Sequence, residues 1–252
     1  MGDLGGAAPR LAAHRFFVAP AAVSVERISL SPEQQHQIRR VLRLRAGDPI
    51  VACDGSGDEI TATLAMEGHE VWAVPQKRRP GRAVPGRQVW LYQSALRGDR
   101  FAWLLQKGTE VGVAGFVPVL FQRTQGADYL GRAARYQAIT REAAEQSERA
   151  TLPEVVDAQL FSVAIAGCNP ARELCLLLDE RERERSLRDA VTPPGSVVRL
   201  FIGPEGGLTE EERQLGQRHG LVPVSLGGPI LRSETAGLAA AILALGASGD
   251  LG

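Results

Sequence analysis

Cysteine is scarce. Cys53, Cys168 and Cys175 are the three in 252 residues, and none stands in a CxxC pair. That pattern indicates neither a zinc site nor a disulfide framework, so no metal is expected and a reducing cytosol suits the chain. Long apolar runs are also missing. The stretches 174–178 and 237–245 fall well short of the roughly 18 to 20 residues a membrane span requires, so no membrane association is expected. Residues 1–13 are rich in Gly and Ala but lack a basic start followed by an apolar block. They read as a frayed leader and not as a secretion signal, which places the protein in the cytoplasm.

Net charge is absent too, with 29 Lys plus Arg against 29 Asp plus Glu. That balance alone would argue against nucleic acid, but the charge is uneven along the chain. Residues 1–88 carry 12 basic against 9 acidic side chains, and the remainder carries 17 against 20. Lysine is nearly missing, Lys77 and Lys107 being the two. Arginine suits planar contacts to phosphate and bases, although the favoured reading of this bias is a GC-rich genome.

What is present divides in two. The first 75 or so residues alternate short β-type runs with turns, at 14–18, 49–53, 59–64 and 71–74, with Asp54-Gly55-Ser56-Gly57 as a hairpin connection; they predict a small barrel. One helix interrupts it, beginning at Ser31 with Pro32 in its first turn and Gln34 three residues after the cap, and burying Ile38, Val41 and Leu42. His36, Arg39, Arg40 and Arg43 recur on its other side, a stripe suited to a phosphate backbone or equally to a solvated face. The polar, turn-rich segment 76–88 marks a domain boundary. Beyond it, apolar strands at 89–95, 116–121, 174–178, 197–202 and 221–226 alternate with helices at 100–111 and 132–149, which predicts a parallel α/β sheet. The second helix reads first as a structural or dimer-facing element.

Two glycine-bearing loops carry the chemistry. In Phe201-Ile202-Gly203-Pro204-Glu205-Gly206-Gly207-Leu208-Thr209 a buried strand runs into glycines and then into a helix capped by Thr209, with Glu212 at its third position. A tight turn needs one glycine; three plus a proline point to close approach of a ligand to the backbone. The loop matches neither GxGxxG nor GxxxxGK[ST], and Glu205 would repel a diphosphate while suiting a cationic ligand such as a sulfonium. The second loop, Leu226-Gly227-Gly228-Pro229-Ile230-Leu231-Arg232-Ser233-Glu234-Thr235-Ala236, has the same order of strand end, Gly and Pro, then helix. Neighbouring strands ending in such loops form the natural crevice of an open α/β sheet, and Arg232 is expected to face the ligand.

At these residues the chain resembles the RsmE family, the 16S rRNA (uracil-N3) methyltransferases of the SPOUT class. Matching segments, in order, are 14–18, His36 with 41–43, Gln106-Lys107 with 109–113, 142–147, 203–208, and 230–232 with Glu234-Thr235-Ala236. The departures are Tyr136, where many relatives carry Trp, and Arg97, where Lys is common. The resemblance implies a C-terminal SPOUT-type α/β domain with a deep trefoil knot over 85–252, and an N-terminal PUA-like β-barrel for RNA binding over 1–80. It also implies a homodimer and a 16S rRNA substrate within the small ribosomal subunit. S-adenosyl-L-methionine would be wrapped by Leu178, Gly203, Pro204, Glu205, Gly206, Gly207, Leu226, Gly227, Ile230, Leu231, Thr235 and Ala236. Arg15, His36, Arg39, Arg40 and Arg43 would meet RNA. Uracil N3 must lose its proton to become nucleophilic; Arg232 is the candidate to stabilise the resulting anion and Glu205 the candidate base. Two other classes compete: a nucleotide-dependent oxidoreductase, which lacks its glycine fingerprint, and a non-catalytic RNA-binding module, which leaves both C-terminal loops without purpose.

Overall fold

The computed structural model describes residues 14–82, 85–124, 131–191 and 197–251. The leader expected over 1–13 lies outside them. The chain divides into two compact units, residues 1–84 with 148–151, and residues 85–147 with 152–252.

The first unit contains β1 (His14–Phe17), β2 (Ile28–Ser29), α1 (Pro32–His36), β3 (Pro49–Cys53), β4 (Asp58–Glu67) and β5 (Glu70–Pro80). Its sheet runs β1-β3-β4-β5-β2, with β1 parallel to β3 and the other pairs antiparallel. Alternate residues point inward, so Phe16, Ile28, Ile50, Ile60, Leu64 and Val71 close on Ile38 in a dry core. The Asp54–Gly57 segment joins β3 to β4, as its turn chemistry predicts.

Three expectations need correction here. The segment 76–80 is not linker: β5 continues through it, pairing with 58–61 of β4 across a register irregularity at Thr61/Ala62. The helix keeps its capping box, in which Gln34 N donates to Ser31 Oγ at 3.2 Å and Ser31 N to Gln34 Oε1 at 2.9 Å. Yet α1 ends at His36, and Gln37–Leu42 continue in wider π-type turns that stop at Arg43 with φ 56°. The wider turn rotates Val41 outward, leaving it 66% exposed where burial was expected.

The second unit contains β6 (Gln88–Ser94), α2 (Arg100–Val111), β7 (Gly115–Leu120), α3 (Ala133–Gln146), β8 (Glu154–Val155), β9 (Gln159–Leu160), α4 (Phe161–Ala166), β10 (Leu174–Leu178), α5 (Leu187–Ala190), β11 (Val197–Ile202), α6 (Glu210–Arg218), β12 (Val222–Val224) and α7 (Ser233–Gly246). The strands form a parallel sheet in the order β12-β10-β11-β6-β7-β8, with β9 also on β7. Val89, Leu91, Leu176, Val198 and Leu200 are buried beneath α2 and α7, whose Phe101, Leu104, Leu105, Ala240, Ala241 and Ala244 close the core. Truncating one such leucine to alanine costs about 2–5 kcal/mol.

This order corrects one step of the sequence reading. The strands that lead into the two glycine loops, β11 and β12, are not neighbours, because β10 lies between them. Three strand ends meet instead of two. The chain leaves β6 toward β7 but leaves β11 toward β12 on the other side, and such a switch in direction opens a crevice at the carboxyl ends of the strands.

Candidate functional site

A cavity of about 870 Å³ occupies that crevice. Its walls are the strand ends Leu178, Ile202 and Val224 and the loops that follow them. Gly203, Pro204, Glu205, Gly206 and Gly207 form one side; Leu226, Gly227, Ile230, Leu231 and Arg232 form the other, and Ala236 of α7 closes the end. Every residue expected around the ligand is therefore on the wall except Thr235, which is exposed and points elsewhere. Helical geometry explains the exception, since the wall residues Ser233 and Ala236 are three apart on one face of α7 and Thr235 is rotated off it.

Each wall is fixed by its own local chemistry. Thr209 and Glu212 form the expected capping box at α6, with Thr209 N donating to Glu212 Oε2 at 2.8 Å and Glu212 N to Thr209 Oγ1 at 3.3 Å. The other carboxylate oxygen of Glu212 accepts from Gln122 N at 2.6 Å, tying the loop after β7 to the same helix start. Gly207 has φ +72°, a backbone angle that calls for glycine, and a Cβ there would lie 3.0 Å from the carboxylate end of Glu180. Gly227 and Gly228, on the opposite wall, also take positive φ, at 69° and 64°.

At the back, the buried Gln93 of β6 donates through Nε2 to Ser233 Oγ at 2.7 Å, and Ser233 Oγ donates to the Gly203 carbonyl at 2.7 Å. Gly237 makes room for Gln93, whose Oε1 would lie 2.2 Å from a Cβ at that position. This relay pins the first turn of α7 to the end of β11.

The sequence reading missed the third wall. Asp179, Glu180, Glu182 and Arg183 follow β10 and line the cavity. Asp179 is buried against Arg213 of α6, whose Nε donates to Oδ2 at 2.7 Å, and the same guanidinium reaches Glu180 at 3.1 Å. Burial works to lower the Arg213 pKa, but the hydrogen bond and charge of Asp179 and the charges of Glu180 and Glu210 outweigh it and hold the group above its ordinary value. The only sequence signal was that Leu178 ends an apolar run at an acidic residue.

The two expected catalytic residues differ in their surroundings. Glu205 is exposed on the loop and forms an ion pair with Arg100 of α2. Arg232, at the N-cap of α7, is also exposed, and its side chain makes no hydrogen bond or ion pair among the described residues. No group of three or more His, Cys, Asp or Glu among the described residues could hold a metal. No helix among them is long and apolar enough to cross a membrane.

The residues expected to meet RNA lie in the first unit and are not equivalent. His36, Arg40 and Arg43 are exposed. Arg39 is partly withdrawn, donating to the carbonyls of Gly68 at 2.8 Å and Glu70 at 3.2 Å in the β4–β5 turn. Arg15 is a correction: its side chain is 8% exposed and turned inward from β1, bonding Glu59 at 2.9 Å and Cys53 Sγ at 3.2 Å. A guanidinium committed to a buried carboxylate is not available to a phosphate.

Residues 84–245 match the family model of the RNA methyltransferase domain. The chain is 34% identical over 227 residues to the ribosomal RNA small subunit methyltransferase E of Synechocystis, covering 89% of this chain and 74% of that one. It is 31% identical over 241 residues to the protein of the same name from Bacillus subtilis, covering 89% and 93%. Among solved structures, the ribosomal RNA small subunit methyltransferase E from Neisseria gonorrhoeae bound to S-adenosyl methionine superposes with a TM-score of 0.82 at 33% identity, over 91% of this chain and 95% of that one.

Proposed function

This chain belongs to the ribosomal RNA small subunit methyltransferase E family of RNA methyltransferases, and from that membership we propose that it transfers the methyl group of S-adenosyl-L-methionine to N3 of a uridine in 16S ribosomal RNA. The observation that carries the reading is the cavity walled by Gly203–Gly207 on one side and Leu226–Arg232 on the other. Its volume lies within the range of small-molecule sites, about 300–1,000 Å³.

The lining fits such a donor. Leu178, Ile202, Val224 and Leu226 supply apolar surface for an adenine ring, and glycine backbone supplies hydrogen-bonding groups without side-chain bulk. When bound, the donor supplies an electrophilic methyl group on a sulfonium. The protein's tasks are to align uracil N3 in line with it and to stabilise N3 once deprotonated. Arg232, exposed at the cavity wall and without a side-chain partner among the described residues, would oppose negative charge building on the uracil carbonyls. Glu205 is the carboxylate on the opposite wall and the candidate to receive the N3 proton, with Arg100 of α2 paired to it.

The finer architecture belongs to the same proposal: a SPOUT-type domain over 85–252 with a deep trefoil knot, and a PUA-like RNA-binding domain over 1–80. The insertion of β11 between β10 and β6 supports the first, and the curled strand order with exposed His36, Arg40 and Arg43 supports the second. A homodimer is supported by exposed Trp103 of α2 and by Ile242 and Leu243 of α7, apolar side chains that a partner copy would cover. The working compartment is the cytoplasm, where the small ribosomal subunit is assembled.

Calorimetric titration of the purified protein with S-adenosylmethionine tests the donor. Mass mapping of rRNA from a deletion strain, with and without the gene restored, tests the product. Absence of donor binding, or a restored modification other than N3-methyluridine in 16S rRNA, would overturn the reading.

A further inference from the structure

We propose that Arg100 is a positioning residue for methyl transfer, acting through Glu205; the proposal rests on the methyltransferase reading above. Arg100 is the first residue of α2 and is not itself on the cavity wall. Its guanidinium ion-pairs with Glu205, and its Nε lies 3.8 Å from Glu234 Oε1 in the first turn of α7. Glu234 is 8% exposed, and its Oε2 is buried without a hydrogen-bond partner. A carboxylate so placed needs a nearby cation, which holds Arg100 at α7 while its other end reaches the loop.

Glu205 needs such a holder. The loop around it is Gly203, Pro204, Gly206 and Gly207, with no bulky side chain to lock it in place. Its other side-chain tethers are Ser233 Oγ to the Gly203 carbonyl at 2.7 Å and Arg123 to the Gly206 carbonyl at 2.8 Å, on either side of Glu205. Among the described residues Arg100 alone pairs with the carboxylate between them. It keeps the Glu205 carboxylate at the rim of the cavity whose lining also carries Arg232.

The pair is largely exposed, with 42% and 56% side-chain exposure, so its loss should move global stability little. Donor affinity, measured by calorimetry, and kcat and KM on 16S rRNA are compared in the parent, Arg100→Ala and Arg100→Lys. Arg100→Ala is expected to lower kcat about 10- to 100-fold, as loss of alignment does, while donor Kd stays within about threefold. Arg100→Lys, which keeps the cation, is expected to recover most of the loss. Unchanged kcat, a donor affinity that falls in step with kcat, a rise in KM for rRNA alone, or a lysine variant as slow as the alanine one would each overturn the proposal. Failure of the methyltransferase reading is seen separately, in the parent protein failing to bind S-adenosylmethionine.

Discussion

Ser233 at the start of α7 and Gly203 at the end of β11 are joined by a hydrogen bond of 2.7 Å, donated by the serine hydroxyl to the glycine carbonyl. The same hydroxyl accepts from Gln93, which is wholly buried, so removing it leaves that amide only its long contact to the Ser233 carbonyl at 3.4 Å. Ser233→Ala is expected to destabilise the protein by about 1–3 kcal/mol, the cost of an unsatisfied buried polar group. Because the Gly203 backbone is part of the cavity wall, donor affinity should fall as well. Urea denaturation and calorimetric titration check the two effects, and a variant unchanged in both would show that the relay does not set the wall.

Gly237 is the second point at which this relay leaves no freedom. An alanine methyl would meet Gln93 Oε1 at 2.2 Å, a distance neither side can keep, with Leu104 Cδ1 also near at 3.7 Å. Gly237→Ala should cost about 1–3 kcal/mol through overpacking. In Gln93→Ala the obstacle is gone, so the double variant should lose less than the sum of the singles, and a double-mutant cycle showing simple additivity would contradict the clash.

What the sequence made legible follows from the range of the interactions. Leu174–Leu178, Val197–Ile202 and Pro49–Cys53 fall where their apolar runs place them, and the capping boxes at Ser31 and Thr209 close as their spacing predicts, because runs and caps are settled within a few residues. The order β12-β10-β11, the return of 148–151 to the first unit and the burial of Arg15 on Glu59 depend on partners tens of residues away. No periodicity encodes those partners. The glycine loops were legible as cavity-lining because their composition is local, whereas the Asp179–Arg183 wall was not, since β10 takes its place between β11 and β12 only in three dimensions.

Arg232→Ala separates binding from chemistry. The side chain bonds nothing among the described residues, so fold stability should change by less than about 0.5 kcal/mol, as for other surface substitutions. If its charge acts on the uracil anion, kcat should fall by about 10²- to 10³-fold, comparable to loss of one oxyanion donor, with donor Kd nearly constant. Parallel losses in kcat and donor affinity would assign Arg232 to donor binding instead.

Asp54 gives the first unit a defined acid limit. Burial acts to raise its pKa, but hydrogen bonds from Ser56 and from Arg78, at 2.7 Å, together with the Arg78 charge, hold it down to about 2 from an ordinary value of 3.8. A folded-state pKa below the unfolded one contributes stability above about pH 4 that is lost as pH falls toward 2. Arg78 is 44% exposed, so screening reduces the contribution to about 1–2 kcal/mol. Asp54→Asn should be less stable than the parent at pH 7 and converge with it near pH 2; a gap that persists at pH 2 would rule out linkage to this carboxylate.

The basic face of the first unit can now be tested more narrowly than the sequence allowed. Arg40 and Arg43 are exposed, whereas Arg39 spends its donors on the carbonyls of Gly68 and Glu70. Replacing Arg40 and Arg43 by glutamine should weaken binding of 16S rRNA fragments without sequence preference and reduce the slope of log K against log salt by about 1 to 2, one phosphate contact per side chain. Arg39→Gln should instead loosen the β4–β5 turn, lowering stability while changing the salt slope less. The two outcomes exclude each other for a given residue. A salt slope that falls for Arg39 and stays fixed for Arg40 and Arg43 would mean that RNA displaces the turn contacts, and that the face open in the free protein is not the one that binds.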